Sequence, residues 1–164
     1  MKKKTKKFYI LLCITILSML CLCGCKSDPK TFVLDNFSIT LTQEFSKSQM
    51  SEFDAYIVSE DVIFSAKCET NSELEFAGYE IASLQDYAKE ICSLNSVSTN
   101  DLTQRNGYYY FTNSATVSGA SYTYLHCMFA QENRYWIFEF VSKTKHFERQ
   151  QDNMLAWADS ITFR

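Results

Sequence analysis

Hydrophobic and polar positions change period several times along this chain, and each change predicts an element. Phe37-Ser38-Ile39-Thr40-Leu41 alternates strictly, as do the stretches Ala55 to Val58 and Val62 to Cys68. A period of two places successive side chains on opposite faces, so three short strands are expected at the start of the domain. The period then lengthens. Ser83-Leu84-Gln85-Asp86 has the form of a capping box, and Leu84, Tyr87, Ala88, Ile91 and Leu94 follow at helical spacing, which predicts a helix over about 83–94. Residues 97–105 are polar and alternating, like an edge strand. Asn106-Gly107 is a hairpin turn leading into Tyr108 to Val117. Ser118-Gly119-Ala120 and Glu132-Asn133 mark two further turns, giving strands over Ser121 to Gln131 and Arg134 to Lys143 and hence an antiparallel meander.

The last of these strands bears on the layers. One of its faces carries Trp136, Phe138 and Phe140, and the other Tyr135, Ile137 and Val141. A sheet apolar on both faces requires a cover on each. The helix at 83–94 is one. The second is a C-terminal helix over about 146–160, where Phe147, Met154, Leu155, Ala158 and Ile161 share a side. The expected fold class is α+β, with helix, antiparallel sheet and helix stacked in three layers.

The first 30 residues follow a different logic. Lys2, Lys3, Lys4, Lys6 and Lys7 precede an uncharged run from Phe8 to Leu22, the order and size of an export signal and shorter than the roughly 20 residues of a membrane span. Leu22-Cys23-Gly24-Cys25 closes that run and resembles the bacterial lipobox. There a thiol emerging at the bilayer surface takes a diacylglyceryl group, and small flanking residues admit the modifying enzyme and the peptidase. The expectation is a signal peptide over 1–24, a lipidated Cys25 with a short tether over 25–30, and one domain over 31–164. Cys23 fits less well because Leu22 would occupy its cleavage position. The five tether residues after Cys25 reach about 17 Å at ~3.4 Å per residue, so the domain would lie close to the extracytoplasmic face of the cell membrane. Acyl chains such as palmitate, two or three together, make such anchoring stable where one does not.

The 164 residues, 46% hydrophobic and 15% aromatic, with one Pro and four Gly, suffice for one domain with a substantial core. All 19 acidic residues follow Cys25 whereas five of the 16 basic ones precede it, so the processed chain carries a net charge of about −8. That balance excludes a nucleic-acid partner, which needs a basic stripe, and it leaves the anchor rather than the domain surface to hold the membrane. Three cysteines, Cys68, Cys92 and Cys127, remain after processing. Cys68 and Cys127 fall on apolar strand phases and read as core residues; one internal disulfide is the alternative.

Chemistry-bearing motifs are scarce. There is no nucleophile elbow, zinc helix, phosphate loop or dinucleotide fingerprint. Of the two histidines, His126 lies mid-strand among aromatics and is expected to be hydrogen-bonded within the sheet; His146 opens the last helix and is expected to be solvated. A nucleophilic pair of Cys68 with His126 has no local signature. The acidic residues Glu69, Glu73, Glu75 and Glu80 lack the spacing of a calcium loop and read as a solvated loop. No metal or other cofactor is expected. Tyr108, Tyr109, Tyr110, Tyr122, Tyr124, Tyr135 and Trp136 crowd three adjacent strands, and filling two cores is their first expected role. A stacking surface for a sugar or peptide, formed by Tyr108, Tyr110, Tyr122, Tyr124 and Trp136, is the alternative.

From Phe37 to Arg164, the order of "FSITL", two strands, "SLQDYAKEI", the meander "NGYYYF", "SYTYLHCMF", "RYWIFEF" and a final helix ending "WADSITF" resembles the PsbP-like fold. That fold is named for an extrinsic protein of photosystem II and is shared by a nuclear import factor and many bacterial lipoproteins. The resemblance implies a non-enzymatic binding or assembly factor; none of the family's metal or partner sites can be matched onto these residues. The expected function is a lipid-anchored protein-binding module of the cell envelope, with a small-molecule or ion receptor serving a transporter as the alternative.

Overall fold

The structure is a computed structural model, and it describes residues 28–164. Among the described residues two antiparallel sheets and three helices follow in the order β1 (Pro29–Val33), β2 (Phe37–Thr42), β3 (Ser46–Ser48), β4 (Ala55–Val58), β5 (Val62–Thr70), α1 (Asn71–Phe76), α2 (Leu84–Leu94), β6 (Thr103–Arg105), β7 (Tyr108–Val117), β8 (Ala120–Gln131), β9 (Arg134–Lys143), α3 (Thr144–Asp159) and β10 (Thr162–Phe163). The large sheet has seven strands in the order β3-β4-β5-β9-β8-β7-β6, and the small one has three, β1-β2-β10.

Local chemistry accounts for most of these elements. The β6–β7 and β7–β8 connections are two-residue turns with positive φ at both positions, 42° and 88° at Asn106-Gly107 and 50° and 80° at Ser118-Gly119. Turns of that hand match the twist of the strands they join, so they set the register of the meander. Ser83 caps α2: its Oγ accepts a hydrogen bond from Asp86 N at 3.2 Å. The helix then buries Tyr87, Ala88, Ile91 and Cys92 along one side. In α3 the buried set is Phe147, Met154, Leu155, Trp157 and Ala158.

The sheet is apolar on both faces and is covered on both. On one side Trp136, Phe138 and Phe140 of β9, Leu125 and Cys127 of β8 and Phe64 of β5 pack against α3 and the small sheet, whose Phe37, Ile39 and Leu41 are fully buried. On the other side Phe111, Met128 and Tyr135 pack against α2 and Leu74 of α1. The three layers are those expected, with an addition: a second sheet shares the α3 layer. It forms because β10 returns beside β2, pairing Phe163 with Phe37, while β1 pairs with β2 along its whole length.

Three expectations change. The acidic stretch is helical in part: α1 takes in Glu73 and Glu75, while Glu80 lies in the loop that follows. Thr70 caps α1, its Oγ1 accepting from Glu73 N at 3.2 Å while Glu73 Oε2 accepts from Thr70 N at 2.8 Å. The edge strand expected over 97–105 shrinks to Thr103–Arg105, because Ser98 caps a short 3-10 turn over Thr99–Asp101. Strand β1 begins at Pro29, inside the stretch expected as tether, since pairing with β2 rather than its own pattern creates it.

Candidate functional site

On the α2 side of the large sheet, strand register lines up side chains in rows that cross several strands. One row runs Tyr56, Ser65, Glu139, His126, Phe111, and the next runs Val58, Ile63, Val141, Tyr124. Helix α2 lies over Phe111, Met128 and Tyr135 and stops at Asn95. Beyond it, Tyr56, Val58, Ile63, Val141, Tyr124 and Tyr122 are half-buried, a floor of apolar and aromatic side chains with no helix above it among the described residues.

The border between covered and uncovered halves is polar. His126 is 3% exposed and holds Nδ1 2.9 Å from Glu139 Oε1 and Nε2 3.0 Å from Asn113 Oδ1. Asn113 Nδ2 donates to Asn95 Oδ1 at 3.2 Å, and Asn95 Nδ2 donates to the Ile91 carbonyl at 2.9 Å. These bonds have one consistent direction, so His126 Nε2 carries a hydrogen and Asn113 accepts it. Nδ1 meets Glu139 off the axis of a good hydrogen bond, which makes that contact chiefly electrostatic. Burial would raise the Glu139 carboxyl, but the facing imidazole and the Ser65 hydroxyl, which donates at 3.3 Å, hold it below the usual range. Phe111 and Tyr124 both stack with the imidazole, at centroid distances of 4.6 and 5.9 Å. The relay ties the end of α2 to four strands, β5, β9, β8 and β7.

Beside it lies a cleft of about 200 Å³, lined by Phe53, Ser65, Lys67, Glu69, Ile91, Ile137 and Glu139. Tyr87 reaches towards it from α2, stacks on Tyr135 at 4.7 Å and donates its hydroxyl to Glu69 Oε2 at 2.6 Å. Burial and the Glu69 carboxylate push that phenol well above its ordinary value. A larger cleft of about 310 Å³ at the far end of the floor has Asp61, Ile63, Tyr122, Val141 and His146 in its lining; His146 Nδ1 is 3.3 Å from Asp61 Oδ1. Both are open to solvent.

The five aromatic residues singled out as a stacking surface are not brought together. Tyr108 and Trp136 are buried on the α3 side at 1% and 0% exposure, with Tyr110 packed against the same core. Tyr122 and Tyr124 lie on the opposite face, because the strand period separates residues of odd and even phase. A single platform of all five is therefore corrected to two core residues, one at the core margin and two on the half-open floor. Tyr108 donates its hydroxyl to Asp159 Oδ1 at 3.1 Å, which joins β7 to the end of α3. Asp159 also accepts from Arg105, at 2.6 Å at the shortest.

Cys68, Cys92 and Cys127 are free. Cys92 packs in the α2 core and Cys127 in the α3 core, with the sheet between them, and burial pushes all three thiols up. Cys68 and His126 lie on opposite faces of the sheet, so they form no pair. Leu22, Cys23, Gly24 and Cys25 lie outside the described residues. Among the described residues no helix is long and apolar enough to cross a membrane.

Sequence reading reached His126 but not Glu139, Asn113, Asn95 or Ser65. The turn at Glu132-Asn133 already places residue 126 opposite 139, and a charged residue on an otherwise apolar strand phase was the available signal.

Comparison with known proteins adds the fold. No family model and no curated protein matches the sequence. The architecture does recur in solved structures. A protein from Bacteroides thetaiotaomicron VPI-5482 superposes with a TM-score of 0.54 at 13% identity, over 78% of this chain and 45% of that one. This chain thus spans less than half of that protein's length. Cyanobacterial PsbP (CyanoP) from Synechocystis sp. PCC 6803 is similar at a TM-score of 0.46 and 10% identity, over 87% of this chain and 97% of that one. LpqN, involved in cell envelope biogenesis of Mycobacterium tuberculosis, is similar at 0.44 and 9%, over 86% and 87%.

Proposed function

We propose that this chain is a lipid-anchored module of the cell envelope, held at the extracytoplasmic face of the membrane through Cys25, and that it acts by binding another protein without catalysis. The uncovered half of the α2 face carries the reading. Val58, Ile63, Val141 and Tyr124 form a continuous half-exposed row across four strands, bordered by the fixed Ser65–Glu139–His126–Asn113 relay. Such a surface is apolar at its centre, polar at its rim and rigid, which is the make-up of a protein interface. The clefts beside the floor, of about 200, 310 and 410 Å³, are all open to solvent, and grooves that do not enclose an occupant favour a macromolecular partner over a small ligand.

The anchor supports the same reading. Three residues separate Cys25 from Pro29, where β1 begins, a reach of about 14 Å at ~3.4 Å per residue. A domain held that near the bilayer meets partners in or on the membrane. A photoreactive amino acid at Tyr124 of the full chain, irradiated in native membranes, tests the binding face. One discrete adduct with an envelope protein is expected, absent when the probe replaces exposed Glu148 on α3. No adduct at Tyr124, or the same adducts at both positions, would contradict the assignment.

A further inference from the structure

Strand β7 has one paired edge and one that is mostly open. Its pairing with β8 is unbroken from Tyr109 to Val117, while β6 covers the other edge only opposite Tyr108, Tyr109 and Tyr110. The two-residue turns set which groups point where. Val117 and Ala120 flank one turn and exchange hydrogen bonds, so Ala115, Asn113 and Phe111 also bond to β8. The backbone N–H and C=O of Thr112, Ser114 and Thr116 therefore point away from β8. The side chains agree: Ser114 Oγ lies 2.8 Å from Thr123 Oγ1, the close approach of a pair whose backbones do not bond. Among the described residues these outward groups have no backbone partner, and Thr112 and Ser114 to Val117 are exposed.

Open edges are ordinarily blunted by charge, proline or a bulge. The opposite edge of the sheet, β3, is three residues long with Lys47 at its centre. The stretch Phe111 to Val117 has no charged residue, no proline and no break in register. We propose that this edge of β7 pairs antiparallel with the same edge of a second copy of this chain, about a twofold axis at Ser114. The outward groups fit that symmetry. Ser114 meets the partner's Ser114, and Thr112 meets the partner's Thr116 on either side, so all three residues of each copy exchange hydrogen bonds. No charges are opposed at the contact, although the processed chain is acidic overall. A different protein would need a matching strand of its own, whereas a second copy supplies one by symmetry. The inference rests on strand geometry and holds whether or not the uncovered α2 face binds a partner.

Oxidative crosslinking of the full chain in native membranes tests it. In the proposed register the two Ser114 Cα atoms stand about 5.5 Å apart, a separation a disulfide spans. S114C is expected to give a covalent homodimer on mild oxidation. V117C is not, because its two copies lie about 20 Å apart along the strands at ~3.4 Å per residue. Wild type supplies the background of the native cysteines. Adding T112P to S114C removes an outward N–H without touching the β8 ladder, and should cut the dimer band at least fivefold while the thermal melt still shows a folded chain. A monomeric S114C, a band of equal strength from V117C, a yield indifferent to T112P, or a crosslink to a different protein would overturn the proposal.

Discussion

Phe138 is the side chain on which most aromatic packing converges. It stacks on Trp136 at 5.7 Å and Phe64 at 6.0 Å, and meets Phe37 and Phe129 edge-on at 4.9 and 5.3 Å. Truncation to Ala leaves a cavity between two sheets that cannot both close on it, so F138A is expected to lose about 3–5 kcal/mol of unfolding free energy, read by urea titration. Glu139 behaves differently. Its folded-state carboxyl sits below the ordinary range, so its contribution to stability is present above the unfolded value near 4.3 and is lost as pH falls through the folded one. E139Q should cost about 2 kcal/mol at neutral pH, since it replaces a charge-assisted contact to buried His126, and should flatten the acid limb of the stability profile. Thermal melts of both proteins from pH 3 to 7 check this. An unchanged acid limb in E139Q would remove Glu139 from the account.

At the scale of elements, caps and turns explain what could be read in advance. S83A leaves α2 without its Asp86 N acceptor and is expected to cost about 1 kcal/mol by chemical denaturation. That helix and the β7–β8–β9 meander were legible because their signals are local: a cap, a helical repeat, an Asn-Gly turn, strict alternation. Helix α1 carried a local signal too, Thr70 with Glu73 three residues on, but the run of acidic residues around it reads equally well as a solvated loop. Strands β1 and β10 could not be read. Pro29–Val33 does not alternate and Thr162–Phe163 is two residues long, so both exist only because β2 offers them an edge. The site follows the same rule. The phase of His126 was visible, whereas its neighbours come from β5, β7, β9 and the end of α2 and meet only once register is set.

For the whole molecule, the contrast between the two faces of the large sheet decides where a partner is proposed to bind. Among the described residues the α3 face is closed by the small sheet and the α2 face is half open, and the proposed partner surface is that open half. In the proposed reading an anchor on Cys25 sets where that surface works. Replacing Cys25 with Ala should move the domain from the washed membrane fraction to the soluble one, measured by immunoblot of the two fractions. Intact-mass analysis of the native polypeptide extracted from membranes is the most direct test. The account predicts a chain that starts at Cys25 and carries diacylglyceryl on its sulfur. A chain that still begins at Met1, with the Cys25 thiol unmodified, would contradict it.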